Sequence, residues 1–249
     1  MCSNYHPVTH LDRLLTFFGV ERDPSDPPPD LEVWPTGLAP FIRLHPDWDG
    51  TGLPTLLAID GLFGLLPRFA TEVKYGKNTY NSRSETVARL PSFRESWREG
   101  MRCIVPAEHL FEPCYESGSA VRWRIAQPGA VPFGIAGIYY EWTNPQTDSK
   151  QYSFSMLTVN ADTHPLYKTL QAPGKEKRMP IILDPSQYTE WLTCGVADAP
   201  KFFRQWMGEF EAGPDPLPAR TVKPKPPQIE KAMPKTKPPP PPTTGDLFE

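Results

Sequence analysis

The chain has 249 residues, a hydrophobic fraction of 39% and a formal net charge of −3. This composition can fill the core of one large domain, so it excludes a wholly disordered chain, and the negative balance excludes a polycation that coats nucleic acid indiscriminately. The sequence has no apolar run of about eighteen residues and no secretory leader, which predicts a cytoplasmic protein without a membrane segment. The four cysteines form no CxxC pair and no zinc-type cluster, which predicts reduced thiols and no metal.

Helical signals are few, and each predicted helix is short. An amphipathic helix is predicted to follow a Thr9 cap, with its apolar face at Leu11, Leu14, Leu15 and Phe18. A capping box of Ser92 and Glu95 predicts a second helix through Trp97. A third helix carrying Trp191 is predicted to start at Asp184, Pro185 and Gln187.

Strand signals outnumber the helical ones. Segments rich in β-branched and aromatic residues, separated by Gly, Pro, Asn and Asp, lie at 53–60, 102–106, 121–126, 131–142, 153–159 and 179–183. They do not alternate with long helices, as the strands of a parallel sheet would. The pattern predicts a single α+β domain over residues 1–213, with a largely antiparallel, barrel-like sheet and short flanking helices.

Proline is concentrated at the C-terminal end. The chain has 33 prolines, about 13% of its residues against an average near 5%, and twelve of them lie in 214–249. With little apolar periodicity, this segment is predicted to be a disordered, extended tail with polyproline II character. Its last residues include Asp246, Leu247 and Phe248, which look like short peptides that dock on sliding clamps. An accidental match, with the proline run as a spacer, is the alternative.

Cys2 is the first candidate for chemistry. If Met1 is removed, which the small side chain at position 2 permits, Cys2 carries an α-amine and a thiol on adjacent carbons. An α-amine titrates near pH 7.7 to 8.0, so a useful fraction is neutral at physiological pH. Amine and thiol together can convert an aldehyde into a thiazolidine ring. The alternative is that Cys2 is simply a small residue after methionine.

Three further segments extend this argument. They are NSRSETV at 81–87, CIVPAEHLFEP at 103–113, and LTVNAD followed by EKRMPIIL within 157–183. Together with the MCSNY start, they resemble the SOS response-associated peptidase (SRAP) family, whose members shield abasic sites in single-stranded DNA. The resemblance covers about residues 1–195 and leaves out the proline-rich segment.

The resemblance implies a role for each matching residue. Cys2 matches the nucleophile that forms a thiazolidine with the C1′ aldehyde of the ring-opened abasic sugar. Asn81 matches a residue that orients the amine and the sugar, and Arg83 matches an arginine that grips the DNA backbone. Glu112 matches the catalytic glutamate, and a carboxyl among apolar neighbours could have a raised pKa suited to moving protons. A surface carboxylate at a strand end is the alternative for Glu112.

The chain also departs from the family pattern. The family histidine before R-M-P falls on Gln171, which can donate a hydrogen bond but cannot shuttle a proton near neutral pH. Either crosslinking and its reversal are slower in this chain, or His164 takes over the proton transfer. The alternative for His164 is a structural position in a turn before Pro165. Asn4 replaces the usual arginine, which removes a phosphate contact.

Basic and aromatic residues suited to single strands are interleaved between 74 and 102. A solvated helix face with Phe93 and Trp97 in the core explains Arg94 and Arg98 equally well. Within this segment the candidate DNA-binding residues are Arg83, Lys74 and Lys77. Phe69 and Thr158, outside the segment, are also predicted to bind DNA.

We expect covalent, lyase-like capture of abasic sites in single-stranded DNA, without a cofactor, by a monomer associated with the bacterial nucleoid. A self-processing thiol peptidase and a non-enzymatic single-strand binder recruited by its tail are the alternatives.

Overall fold

The computed structural model describes residues 3–26 and 29–217. In these residues, the strands are β1 (Asn4–Pro7), β2 (Leu38–Leu44), β3 (Leu56–Phe63), β4 (Asn81–Arg83), β5 (Arg102–Cys114), β6 (Val121–Ala126), β7 (Phe133–Thr143), β8 (Lys150–Asn160), β9 (Arg178–Pro180), β10 (Ile182–Leu183) and β11 (Glu211–Pro214). The α-helices are α1 (Leu11–Phe18), α2 (Arg94–Arg98) and α3 (Tyr188–Thr193). No helix in the described ranges is long and apolar enough to cross a bilayer.

Five strands close into a barrel. Around the ring, β7 pairs with β8, β8 with β3, β3 with β2, β2 with β5, and β5 returns to β7. The β3–β8 pairing is parallel and the other four are antiparallel. A closed ring leaves no unpaired edge among its members, which stabilises a sheet of this size. The predicted α+β class with a largely antiparallel barrel is confirmed.

The long strand β5 joins the barrel to the outer strands. Its first half, residues 102–107, pairs with β7, and its second half, residues 109–114, pairs with β6 outside the ring. The N-terminal strand β1 lies antiparallel along the second half, with Asn4 opposite Phe111 and Tyr5 opposite Leu110. Because the sequence segment after Pro106 lacks strand-like alternation, the prediction ended this strand eight residues too early.

Large apolar side chains fill the barrel. Phe41, Phe63 and Phe154 are fully buried, with Phe154 within 5.6 Å of each of the other two, centroid to centroid. Gly137 lies on β7 where a Cβ would come within 2.9 Å of Cys103 Sγ. A larger residue there would therefore force the β5 and β7 strands apart.

The three predicted helices exist, but two begin differently. α1 follows His10 rather than a Thr9 cap, and it ends at Gly19, whose φ of 67° places it in the left-handed region. α2 begins at Arg94 after Phe93, and Ser92 does not cap it: the Ser92 hydroxyl lies 2.8 Å from the Tyr75 hydroxyl. The helical segment that leads into α3 begins as predicted at Asp184, because the Gln187 side chain accepts a hydrogen bond from the Asp184 N–H at 3.2 Å.

Four strands were missed from the sequence: β1, β2, β4 and β11. Each is short or contains proline, so local propensity gives little signal. Their partners are distant in sequence: β4 pairs with β8 and β11 with β6. Long-range pairing, rather than local preference, creates these strands.

Candidate active site

The Glu112 side chain is buried in the second half of β5, which pairs with β6 outside the barrel. It is 1% exposed and lies opposite Trp123 of β6 in the strand register. Burial raises the pKa of this carboxyl to about 7, against the opposing effect of a hydrogen bond from the Gln171 side chain. Both the protonated and the ionised forms are therefore populated near neutral pH, as proton transfer in either direction requires.

Gln171 is held rigidly beside Glu112. Its backbone N–H donates to the Pro113 carbonyl at 2.6 Å, which ties it to the residue after Glu112. Its side-chain Nε2 donates to the Arg178 carbonyl at 2.6 Å, and its Oε1 accepts from the Arg178 N–H at 3.2 Å. The backbone φ of 64° lies in the left-handed region, a conformation that non-glycine residues rarely adopt. The surrounding contacts therefore fix the amide in one orientation.

Arg178 organises the other side of Gln171. Its side chain is 2% exposed, and its guanidinium binds Glu85 through two nitrogens at 3.1 and 2.9 Å and Glu176 at 2.6 Å. It also donates to the Thr158 hydroxyl at 3.3 Å and to the Thr158 carbonyl at 2.7 Å. Although burial acts in the opposite direction, the hydrogen bonds from Arg178 hold the pKa of Glu85 below its usual value. Arg178 is not among the site residues predicted from the sequence, although it lies in the R-M-P segment.

Asn81, Arg83 and Thr158 lie on adjacent strands. In the parallel β4–β8 pair, Asn81 is opposite Met156 and Arg83 is opposite Thr158. Thr158 is 1% exposed and its hydroxyl donates to the Ser82 carbonyl at 3.2 Å, so its side chain has no surface from which to contact DNA and instead supports Arg178. The Arg83 side chain is 47% exposed and pairs with Glu176 at 2.7 Å.

A continuous set of contacts therefore links four of the predicted site residues. Glu112 binds Gln171, Gln171 binds Arg178, Arg178 binds Thr158, and Thr158 lies opposite Arg83. Asn81 lies two residues before Arg83 on the same short strand. Cys2 lies outside the described residues.

His164 occupies a different place from Gln171. Its ring is 3% exposed; Nδ1 accepts from the N–H groups of Leu166 and Tyr167, both at 3.1 Å, and Nε2 lies 3.0 Å from the Trp206 carbonyl. Burial lowers the pKa of the imidazole, although the bond to Trp206 acts in the other direction. Both nitrogens are engaged with backbone groups, so His164 stabilises the turn at 164–167.

The remaining candidate DNA-binding residues lie on the surface before β4. Lys74 and Lys77 are exposed on a 3₁₀ helix, Val73–Asn78, and neither pairs with an acidic side chain of the described residues. Phe69 is 54% exposed and rests edge-on against Tyr75, with ring centroids 5.6 Å apart. Phe93 and Trp97 are each 5% exposed, so the rings next to Arg94 and Arg98 belong to the core.

Comparisons with known proteins agree on the family. Abasic site processing protein YoqW of Bacillus subtilis (strain 168) is 28% identical over 223 residues, covering 85% of this chain and 88% of that protein. Abasic site processing protein YobE of the same organism is 30% identical over 223 residues, covering 85% of this chain and 90% of that protein. Abasic site processing protein HMCES of Rattus norvegicus is 25% identical over 211 residues, which is 56% of its length.

Solved structures share the fold. A crystal structure of a protein from Bordetella bronchiseptica has a TM-score of 0.78 at 31% identity and covers 87% of this chain and 100% of that chain. A second, from Bacteroides thetaiotaomicron, has a TM-score of 0.70 at 22% identity, covering 85% and 90%. The model of the SOS response associated peptidase (SRAP) family matches residues 1–224, and the chain belongs to that family.

Proposed function

We propose that this protein captures abasic sites in single-stranded DNA as a covalent adduct of Cys2, formed after Met1 is removed. Relatives that carry the name abasic site processing protein support the choice of substrate. The observation that carries the chemistry is the buried Glu112, whose pKa is raised to about 7. A carboxyl in that state can give and take protons within one reaction near neutral pH.

The strand register supports the proximity of Cys2 and Glu112. Asn4 lies opposite Phe111, the residue before Glu112, and β1 runs antiparallel to β5. Two residues of extended chain reach about 7 Å, so an amine and a thiol at position 2 would be within reach of the Glu112 carboxyl.

The first step joins the Cys2 amine to the sugar. The neutral amine attacks the C1′ aldehyde of the ring-opened deoxyribose and forms a carbinolamine. Glu112 in its acid form gives a proton to the hydroxyl, which leaves as water, and the nitrogen loses its proton as the imine forms. Asn81 orients the amine and the sugar during this step. Holding the groups together in one geometry supplies much of the acceleration.

The second step closes the ring. The Cys2 sulfur adds to the imine carbon and forms the C–S bond, and the nitrogen takes up the proton that the thiol releases. The product is a five-membered thiazolidine, and the sum of both steps consumes one aldehyde and releases one water. Both bonds of the adduct come from one residue, so Cys2 serves as the nucleophile twice.

Gln171 determines how the adduct is released. It hydrogen-bonds Glu112 and keeps that carboxyl in place, but an amide cannot carry a proton near neutral pH. Reversal then depends on Glu112 alone for its proton transfers. We propose that release is slow in this protein, which suits a function of shielding the lesion.

DNA binding is proposed to be independent of sequence. Lys74, Lys77 and Arg83 supply phosphate partners, and Phe69 supplies an exposed ring. An abasic site presents no base edge to read, so backbone contacts and stacking carry the affinity. Docking on a sliding clamp through Asp246, Leu247 and Phe248 stays a prediction, because these residues lie outside the described ranges. The monomeric state also stays a prediction.

A denaturing gel with an abasic oligonucleotide tests the proposal. The wild-type protein should give a heat-resistant adduct, and Cys2→Ala should abolish it. Cys2→Ser keeps the amine and loses the thiol, so it should give an adduct only when borohydride reduces the imine. Cys194→Ala removes a half-buried thiol elsewhere and should behave like wild type.

Two results would reject the proposal: a wild-type lane without adduct, or an adduct that survives Cys2→Ala. Hydrolysis of a peptide library by the wild-type protein, lost in Cys2→Ala, would then favour a thiol peptidase. The mass of the mature N-terminus provides an independent measurement, because retention of Met1 leaves no α-amine on Cys2.

A further inference from the structure

Trp34 differs from the other tryptophans of the chain. The chain has seven tryptophans, and Trp34 is 47% exposed, whereas Trp97, Trp142 and Trp191 are at most 5% exposed. The remaining three are half-buried. The exposed face of the Trp34 ring is therefore available to stack on a ligand.

The turn that carries Trp34 is held in a strained conformation. The Gly37 N–H donates to the Trp34 carbonyl at 2.8 Å and closes a β-turn over residues 34–37. Its third residue is Thr36 with a φ of 77°, a left-handed conformation that is unusual for a β-branched side chain. Backbone bonds to β3 maintain it: Thr36 N–H to the Phe63 carbonyl at 2.7 Å, and Phe63 N–H to the Gly37 carbonyl at 2.9 Å. The backbone under the exposed ring is thus fixed in advance.

The same turn lies between two parts of the candidate active site. On one side, Val33 and Tyr5 exchange backbone hydrogen bonds at 2.9 and 3.2 Å, and Glu32 accepts a hydrogen bond from the Asn4 side chain. These contacts attach the turn to β1, which lies along Glu112's strand.

On the other side, the turn rests on the 3₁₀ helix Val73–Asn78. A Cβ added at Gly76 of that helix would lie 3.3 Å from Thr36 Cγ2, so the two segments are in close contact. Lys74 and Lys77 flank Gly76 on this helix and are exposed. Three residues after the helix, β4 begins at Asn81. An aromatic face and two cationic side chains therefore border the site from the same pair of segments.

We propose that Trp34 is the platform on which the base next to the abasic site stacks, with Lys74 and Lys77 binding the adjoining phosphates. The inference rests on the proposed function, because it takes single-stranded DNA as the ligand. A base presents a flat face whatever its identity, so stacking on Trp34 adds affinity without sequence preference.

Binding to an oligonucleotide with a tetrahydrofuran abasic analogue separates stacking from chemistry, because the analogue has no aldehyde and cannot crosslink. Fluorescence anisotropy should show that Trp34→Ala binds about tenfold more weakly than wild type. Trp34→Phe keeps a ring and should retain most of the affinity. Leu53→Ala removes an apolar side chain that is 93% exposed on another turn, and it should bind like wild type.

A second oligonucleotide carries the tetrahydrofuran analogue at the lesion and at each neighbouring position. It keeps every backbone phosphate but has no base next to the lesion. On this strand, Trp34→Ala and wild type should bind equally. An equal loss on both strands, or no loss on either, would overturn the inference. Adduct formation by the wild-type protein with an aldehyde-bearing strand is measured in parallel. If that adduct forms while Trp34→Ala shows no base-dependent loss, the stacking inference alone fails; if the adduct is absent, the Cys2 chemistry fails.

Discussion

Glu112→Gln is the substitution for which the structure gives the clearest numerical prediction. Glutamine has nearly the same shape as glutamate and can take its place in the buried position, but it does not titrate. The prediction concerns the free energy of unfolding of wild type and Glu112→Gln as a function of pH. Taking the difference between the two proteins cancels the titration of every other group.

The sign follows from the proton balance. The folded-state pKa of Glu112 is about 7, above its ordinary value of 4.5. Between these two values the folded protein keeps the proton and the unfolded chain has lost it, so the stability of wild type falls by about 1.4 kcal/mol per pH unit. Below 4.5 both states are protonated, and above 7 both are ionised. Over this pH interval the free energy of unfolding of wild type therefore falls by about 3 kcal/mol in total.

Glu112→Gln should therefore gain stability relative to wild type as pH rises. Urea denaturation at intervals from pH 4.5 to 8 should show the two stabilities diverging by up to about 3 kcal/mol, with most of the change below pH 7. Glu116→Gln, the same substitution at an exposed position four residues along the chain, is the matched control. A pH-independent difference for Glu112→Gln would refute the assignment of a buried carboxyl with a raised pKa.

The same substitution should harm the proposed reaction. Without a group that can give and take a proton, formation of the adduct should slow by about 10² to 10⁴, measured by quenched time points on a denaturing gel. A protein that is more stable above neutral pH and much slower would mean that the buried carboxyl is retained for chemistry at a cost in stability. Unchanged adduct kinetics would remove Glu112 from the mechanism while leaving the stability argument intact.

Two further predictions concern the neighbours of Glu112. Arg178→Ala should lower the free energy of unfolding by about 3 kcal/mol or more, because it removes a buried guanidinium that binds Glu85, Glu176 and Thr158. Arg83→Ala, which breaks a half-exposed ion pair, should lower it by less than about 1 kcal/mol. Equal losses of stability for the two variants in urea denaturation would contradict the burial of Arg178. Gln171→His should speed transfer of the adduct to competing abasic DNA by at least about tenfold, because imidazole can carry protons near neutral pH; an unchanged transfer rate would show that position 171 does not control release.

Local sequence signals predicted the elements that have strong periodicity. The helix at Leu11–Phe18 and the strand Val121–Ala126 were both expected from their residue patterns, and the structure confirms them. The predictions failed where an element depends on a distant partner. β5 runs on to Cys114 because β1 and β6 pair with its second half, which the sequence around Glu108 does not indicate.

For the candidate site, the motifs identified residue types but not their surroundings. Thr158 lies in a segment that matches the family and is predicted to contact DNA, yet the structure buries it beside Arg178. His164 had two interpretations, and the structure shows both of its nitrogens on backbone groups. Trp34 carried no motif at all. Exposure and hydrogen-bond partners depend on segments far along the chain, so no local pattern could have predicted them.

The sequence by itself determined which chemically competent residues the chain carries, in which order, and which segments have the periodicity of helices and strands, because these properties depend on covalent order and local conformational preference. Only the tertiary structure decided which of those residues lose contact with water. Solvation of a carboxyl depends on every segment packed around it, and the raised pKa of Glu112 results from its burial in the second half of β5, where β5 pairs with β6.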